Sequence, residues 1–512
     1  MEIIRNFPCL SILLAMFSAI ISSALKGKGA RWLNTFVIIV VGALSAAALY
    51  MTMTTGESYV YVMGHVPAPF GNEIRFGSLE PGVALFFCVI MLLSLNGGRK
   101  KLLLEIDPGK ENLYYIMVDL LLSSLLALVY TNDLFTAYVF VEINTIAACG
   151  LIMITERGRT IEAAARYMIM SLLGSGLFLI GICLLYDMTG HLLMSYIRVS
   201  IEDIVASGMY HAPLLVTIAL IVVGLAIKSA LFPFHAWLPD AYGYSTVSSA
   251  AMLSSLVSKG YIFLLIKLIY RVIGFDTFLN SRIINVLFVF GLAGMIMGSI
   301  SAIRENDIRR MISFSSVAQI GYIYMGFGLG TSAGMVASIF HILSHAATKS
   351  LLFVSGVGLT DVSGGHKEFV ELTGSGYRNV AAGIAFMVGS LSMVGIPAFS
   401  GFISKLLFAQ AAVQHNQFAK LLPTLIVLAV STVLNTIYFM KTVIRIYTPT
   451  GGTSYVAPGN ARHEDQKYAS VSIKENPLYV ITLLCFIILN IILGMCSQPI
   501  TDWITQGLSV FA

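Results

Sequence analysis

Residues 224–240 read GLAIKSALFPFHAWLPD, and two features of this string decide how the whole chain is read. Lys228 stands near the middle of an otherwise apolar stretch, Leu215 to Phe234, and Pro233 follows it five residues later. A lone ammonium at membrane depth costs about 2.5–3.5 kcal/mol on insertion scales, so it persists where neighbours or water solvate it and a function needs it. Lys259, Lys349 and Lys405, with Glu142 and the pair His341/His345, also fall inside hydrophobic segments. Together they form a candidate path for charge through a bilayer.

The rest of the chain fits that setting. Of its 512 residues 57% are hydrophobic and only 11% charged, with a mean hydropathy of +0.85. Soluble domains carry about 25% charged residues. Long apolar runs recur from end to end between short polar turns, which argues for helices; barrel strands would be about 10 residues long and strictly alternating. The expected fold is therefore an all-α polytopic membrane protein. A window of about 20 residues gives fourteen spans, beginning near Phe7, Leu33, Leu79, Leu113, Leu134, Ala164, Pro213, Ser249, Ile284, Met311, Ser332, Ala381, Leu421 and Pro477. The first lacks a small-residue cleavage site and runs past signal-peptide length, so it counts as span 1. The sizeable polar loops are Gly56 to Phe76, Thr189 to Tyr210, Thr360 to Asn379 and Tyr447 to Glu475.

Charge placement says more than the net +5. No basic run or aromatic-interleaved basic face points to nucleic acid. Of the 31 Lys and Arg residues, 20 fall in odd-numbered loops and six on the opposite side, among them Arg271. The remaining five, including Lys267, lie within spans. By the positive-inside bias the odd loops are cytoplasmic and both termini are outside. The six cysteines lie in or beside apolar segments with no CxxC pair, which argues against an iron–sulfur or zinc site and against a disulfide framework.

Proline interrupts two spans: span 7 at Pro233 and Pro239, and span 12, GSLSMVGIPAFSGFISKLL, at Pro397. Five spans separate them, so if they are equivalent members of a repeat they cross in opposite directions and the repeat is inverted. Broken helices at midplane are how many transporters build ion sites, because unwound backbone is tolerated only where it lines a cavity. The match is imperfect, since Lys228 precedes Pro233 while Lys405 follows Pro397.

Each titratable residue has a functional and a bland reading. Glu142, in DLFTAYVFVEINTIAACGL, is central in span 5, and Lys228 is its candidate partner. As a switch, a nearby carboxylate keeps the proton on the lysine and its withdrawal releases the proton; the alternative is a static ion pair gluing two helices. Lys259, in SSLVSKGYIFLLIKL, is central in span 8 and could instead bond to backbone carbonyls, while Lys267 near the end of that span is expected to snorkel to the interface. Span 11 reads FHILSHAATKSLLF, stacking His341, His345 and Lys349 at four-residue intervals on one face, where imidazoles can pass a proton along. Zincin-like metal binding is the rival reading, but the Glu of HExxH and a third ligand are missing. Lys405 follows GIPAFSGFIS, whose Ser400 and Ser404 can hold water, and it could alternatively snorkel outward. Asp119 in span 4 and Glu80 at the head of span 3 are weaker candidates. GLGTSAG at Gly328 to Gly334 reads as a turn between helices, not a phosphate cradle, and no nucleophile triad, quinone or flavin signature is present. No cofactor is expected.

The segments NDLFTAYVFVEI, KSALFPFHAWLPDAY, SSLVSKGYIFLLIKLIYR, ENDIRRMISFSSVAQIGYI, FHILSHAATKSLLF and GIPAFSGFISKLL, in this order, resemble the antiporter-like subunits shared by respiratory complex I (NADH:quinone oxidoreductase), Mrp Na+/H+ antiporters and membrane-bound hydrogenases. The likeness runs from about Asp119 to Phe408. It implies fourteen helices with two inverted five-helix repeats, each a half-channel: residues 1–111 as spans 1–3, 112–273 as the first repeat, 283–446 as the second, and 447–512 as a polar loop and span 14. It also implies roles for Glu142, Lys228, Lys259, the His341/His345 relay and Lys405. The chain departs from the family at GIPAFSG, where two prolines are frequent, and at YGYSTVSSA after WLPD. There is no long helix after span 14, which favours the shorter members.

The resulting expectation is a proton-translocating subunit of a multisubunit respiratory or hydrogenase-type complex, with no redox site of its own. Its partners would be H+, Na+ in the antiporter alternative, other membrane subunits including related ones, and the lipid bilayer of a prokaryotic cell membrane. An Mrp-type Na+/H+ antiporter module is the first alternative and a non-conducting structural spacer the second; the spacer predicts gaps at titratable positions, and none is found.

Overall fold

The computed structural model describes residues 2–66, 71–415, 418–449 and 476–511. Most of the polar loop expected from Tyr447 to Glu475, with Arg462, Lys467 and Lys474, lies outside the described residues. The chain runs α1 (Phe7–Ala24), α2 (Gly27–Thr55), a hairpin of β1 (Tyr59–Val62) and β2 (Glu73–Phe76), α3 (Leu79–Glu105), α4 (Glu111–Tyr130), α5 (Leu134–Met153), α6 (Gly158–Thr189), α7 (His211–Lys228) and α8 (Val247–Ile273). It continues with α9 (Ile283–Arg304), α10 (Ile308–Leu329), α11 (Ser332–Asp361), α12 (Val380–Val394), α13 (Ser400–His415), α14 (Phe418–Ile446), α15 (Pro477–Met495) and α16 (Ser497–Ser509). Among the described residues twelve helices are long and apolar enough to cross a membrane. Every expected span start falls within six residues of an observed helix start, and the span expected from Ala381 is two helices, α12 and α13.

Local chemistry sets the boundaries. Asp133, Asp307 and Thr331 cap α5, α10 and α11 by accepting backbone N–H groups from the first turns. α10 and α11 meet through Gly330, at φ +72°, so the glycine-rich string there is the expected helix turn. At Pro233 the chain leaves helix after Lys228 and resumes at Leu238–Tyr244, with Pro239 in the first turn. At Pro397 it leaves after Val394, through Gly395 at φ +92°, and resumes at Ser400.

α8 and α11 are buried through their apolar spans and form the centre, whereas α1 and α14 turn much of their apolar surface outward. Phe17 of α1 and Ile437 of α14 are exposed, as are Phe36 of α2 and Ile169 of α6, as lipid-facing residues should be. Polar side chains are drawn inward instead: Lys228, Lys259, Lys267 and Lys349 are all buried.

Two expectations change. Lys267 does not snorkel: it is fully buried, and its ammonium donates to the carbonyls of Leu128 at 2.9 Å, Val129 at 2.5 Å and Thr131 at 2.9 Å, at the end of α4. Snorkelling needs a helix that touches lipid, and α8 does not. Arg271, expected in a loop, is likewise buried and donates to Glu80 Oε1 at 2.5 Å and to the Phe511 carbonyl at 2.9 Å. Glu80 therefore closes a buried ion pair that ties α3 to the end of α8.

Candidate functional site

Lys228 is the last residue of α7, next to the break. Its backbone can come close to α6 because two glycines face each other: a Cβ on Gly224 would lie 2.6 Å from the Gly174 carbonyl. The ammonium donates to Thr145 Oγ1 of α5 at 2.6 Å and lies 5.3 Å from the centre of the Tyr261 ring. Tyr261 in turn donates to Asn144 Oδ1 at 2.9 Å, and Asn144 to Ser124 at 2.8 Å. Glu142, one turn before Thr145, is only half-buried, and no ion pair within 4 Å joins it to Lys228.

Lys259 is fully buried at the start of the α-helical part of α8 that follows a π-helical turn, Leu253–Val257. A π-turn skips a residue in the hydrogen-bond ladder. The Ser254 carbonyl inside it accepts from the Lys259 ammonium at 2.5 Å, so the backbone bond that was the bland reading is present, and the helix is distorted where it forms. Lys349 of α11 points to α10, donating to the Ile312 carbonyl at 2.7 Å and to the Ser315 hydroxyl. Ser350, beside it, shares a 2.7 Å hydroxyl contact with Ser255 of the same π-turn. The two central helices thus meet along hydroxyls and ammonium groups.

His341 and His345 stack with centroids 5.9 Å apart and planes at 9°. His341 Nδ1 meets Ser404 Oγ at 2.5 Å, and its ring stacks on Tyr322 at 5.5 Å. His341 Nε2 and both nitrogens of His345 are buried without a protein partner. Both rings line a cavity of about 10 Å³ shared with Gln319, Ser344, Thr348 and Lys405, and this is room for roughly one water molecule. Lys405 is half-buried rather than outward-pointing: it donates to the Val394 carbonyl, the last of α12, at 2.7 Å and to Thr432 Oγ1 at 3.1 Å. The structure therefore brings His341, His345 and Lys405 around one cavity, while Lys349 faces away from it and Lys228 and Glu142 stand apart.

Two members of the site carry no charge to announce them. Asn490 of α15 receives Thr348, Ser400 and Ser392 hydroxyls at 2.7, 3.0 and 3.2 Å, pinning the second break to α11. Tyr322 of α10 stacks on His341, lies 6.0 Å from the Lys405 ammonium, and donates to Ser431 at 3.1 Å. A lone Asn in an apolar span is a sequence signal for the first; nothing singles out the tyrosine among its peers.

Residues 131–434, which hold every titratable residue named here, match the family described as NADH:quinone oxidoreductase/Mrp antiporter, TM. NADH-quinone oxidoreductase subunit N of Desulforudis audaxviator (strain MP104C) is 31% identical over 448 residues, 86% of each chain. Two solved structures share the fold. The archaeal respiratory complex membrane-bound sulfane sulfur reductase contains a chain of 24% identity and TM-score 0.85, covering 100% of this chain and 98% of that one. The Mrp complex from Dietzia sp. DQ12-45-1b contains another, at 24% identity and TM-score 0.84, covering 99% and 97%. With the family match spanning well over half of its length, this multi-pass membrane protein belongs to the NADH:quinone oxidoreductase/Mrp antiporter family and is one of its antiporter-like subunits.

Proposed function

We propose that the chain carries protons across the membrane as one subunit of a multisubunit respiratory or hydrogenase-type complex. Protons enter near Glu142 and Lys228, pass Lys259, Lys349 and the His341/His345 pair, and leave by Lys405. One observation carries this reading: four lysines in the membrane-embedded bundle, Lys228, Lys259, Lys349 and Lys405, have hydroxyls and backbone carbonyls as hydrogen-bond partners and, among the described residues, no carboxylate within 4 Å. A bundle built only for stability would pair such charges or replace them. Groups that must gain and lose protons are better served by neutral partners, which tolerate both forms.

At the first station a carboxylate beside the ammonium would hold its proton in place, whereas a hydroxyl holds it less firmly. Thr145 and Glu142 stand one turn apart on α5, so a small movement of α5 against α7 exchanges one neighbour for the other. At the far end, the unbonded His345 imidazole, the His341 ring with its free Nε2, and Lys405 face a space the size of a water, and a water there can bridge them. Lys405 then signals to, or delivers to, the neighbouring subunit. The same reading takes 112–273 and 283–446 as inverted repeats. It also takes the basic loops as cytoplasmic in a prokaryotic inner membrane, with both termini outside.

The test is Lys228→Ala and Lys405→Ala in the assembled complex reconstituted into vesicles. Normal assembly with unchanged proton uptake would sink the proposal. A second reading, an Mrp-type Na+/H+ exchange module, is favoured by the family's double membership. Mass spectrometry of the native complex separates the two: partners with iron–sulfur or nickel–iron centres support the first, and their absence supports the second.

A further inference from the structure

Two buried polar clusters lie off the line of lysines, and they differ in kind. Asp119 of α4 is closed in, with Ser18 of α1 and Asn34 of α2 donating to its two oxygens at 2.8 and 2.6 Å. Asn490 of α15 stands instead beside a space. Its amide is oriented by its own helix, because Nδ2 donates to the Phe486 carbonyl at 3.2 Å and so turns Oδ1 to the second break. Three hydroxyls converge on that one oxygen: Thr348 of α11 at 2.7 Å, Ser400 at the head of α13 at 3.0 Å and Ser392 near the end of α12 at 3.2 Å. All four side chains are buried. Asn490 lies beyond residues 131–434, so the family match does not reach it.

An amide oxygen has two lone pairs, so three donors exceed what it can accept at once. One hydroxyl is therefore always free to turn its hydrogen elsewhere. Other acceptors are within reach: the Ser392 hydroxyl lies 3.3 Å from both Thr348 Oγ1 and Ser400 Oγ, Thr348 can donate to the Ser344 carbonyl at 2.8 Å, and Ser344 donates to Ser400 at 2.8 Å. Ser344, Thr348 and Ser392 also line the water-sized cavity that His341, His345 and Lys405 share. That wall can present either a hydrogen or a lone pair to a water in the cavity.

We infer that Asn490 is a positioning residue of the proton path, its amide oxygen holding Thr348, Ser392 and Ser400 as a reversible wall for the water between His345 and Lys405. The inference rests on the proton-carrying reading of those two residues. When the His345 imidazolium gives its proton to the water and the water gives another to the neutral Lys405 amine, one N–H bond breaks and one forms. The water is left with its hydrogens turned round and has to rotate before the next transfer. A wall that exchanges donor for acceptor lets it rotate without losing a hydrogen bond, a loss that is costly in a buried site. Asn490 makes the exchange possible because it accepts from both sides of the break while its own N–H stays committed to Phe486.

The experiment is proton uptake by the complex reconstituted into vesicles, in H2O and in D2O, with Lys405→Ala measured alongside. Asn490→Leu is nearly isosteric and removes the acceptor, so uptake should fall about 10- to 100-fold, the scale on which misplaced reacting groups act. The solvent isotope effect should rise with it, because transfer through the cavity then limits the rate. Asn490→Asp, whose neutral carboxyl keeps the oxygen and has a hydroxyl to donate to Phe486, should restore uptake to within about twofold of wild type. Should Asn490→Leu fail to assemble, Thr348→Val keeps Asn490 and removes one hydroxyl, at an expected cost of about fivefold, the worth of one neutral hydrogen bond. Wild-type uptake in Asn490→Leu or Thr348→Val, or a fall matched by an equal loss of assembled complex with the isotope effect unchanged, would overturn the inference and leave the proton path standing as long as Lys405→Ala abolishes uptake. Unchanged uptake in Lys405→Ala would sink the proton-carrying reading itself, and this inference with it.

Discussion

At the first break Lys228 is itself the end of the first half-helix and its ammonium turns to a side chain, Thr145, on another helix. At the second break Lys405 comes from the following half-helix, α13, and reaches back to the terminal carbonyl of α12 at Val394. Proline order in the sequence makes the two look mismatched, but in space each lysine sits at the carbonyl end of the first half. That end carries the negative pole of a helix dipole, worth about 0.3–1 kcal/mol to a nearby cation. The difference lies in the second partner. Lys228 depends on a hydroxyl that substitution can remove, and Lys405 on backbone that it cannot.

The severest way to break the comparison is to delete the ammoniums. If both are stations in series, Lys228→Ala and Lys405→Ala should each lower proton transport about 100-fold or more, the scale on which a positioned proton-transfer group acts. A large loss at one and none at the other would show that only one break lies on the path.

Next in size are the close approaches that shape each break. A Cβ on Gly401 would lie 1.8 Å from the Ser392 carbonyl, and one on Gly224 would lie 2.6 Å from the Gly174 carbonyl. Overpacking of this kind costs about 1–3 kcal/mol. Gly401→Ala should therefore lower the melting midpoint and yield of the complex more than Gly224→Ala does. Equal melting of both variants and wild type would mean the helices part easily and the breaks are loose.

How much of this was legible beforehand follows from the same residues. Pro233 and Pro397 marked the breaks because proline lacks the donor a helix needs, and the buried lysines stood out because charge in an apolar run is rare. Partner choice did not show. Lys228 meets Thr145, not the nearby Glu142, because one turn of α5 decides which side chain faces α7, and only packing sets that rotation. Lys267 was misplaced for a related reason: its distance from the span end suggested an interface, but α8 is enclosed on all sides. Asn490 and Tyr322 are neutral, so no charge pointed to them.

The contrast between removable and fixed partners is sharpened by two threonines. Thr145→Val takes away the hydrogen bond to the Lys228 ammonium, and a bond to a charged group is worth about 1.5–3 kcal/mol. Transport should fall about tenfold. Thr432→Val removes the longer of two contacts to Lys405 and leaves the Val394 carbonyl in place, so the expected loss is about twofold or less. Equal losses in vesicle assays would mean that Thr432 is more than an auxiliary partner.

The smallest effect concerns how the half-helix after the first break is anchored. The end of Leu238–Tyr244 is held by cations: Arg309 donates to the Tyr242 carbonyl at 3.3 Å and to the Ser245 carbonyl, and Lys367, in the loop after α11, donates to the Gly243 carbonyl at 3.3 Å. Crowding these cations has an electrostatic consequence, because the Arg309 guanidinium, followed by burial, pushes Lys367 down to about 8. A lysine whose value is lower folded than unfolded binds fewer protons in the folded state, so stability rises with pH between about 8 and the ordinary lysine range near 10.5. Across that window the melting midpoint of the wild-type complex should gain about 1 °C relative to Lys367→Met, a modest shift because the group is partly exposed to solvent. The second break has no such cationic anchor among the described residues, so it supplies the control: Lys405→Met should leave this alkaline rise intact. Parallel pH profiles for wild type and Lys367→Met would mean that Arg309 alone holds the half-helix, and that the first break is anchored from one side only.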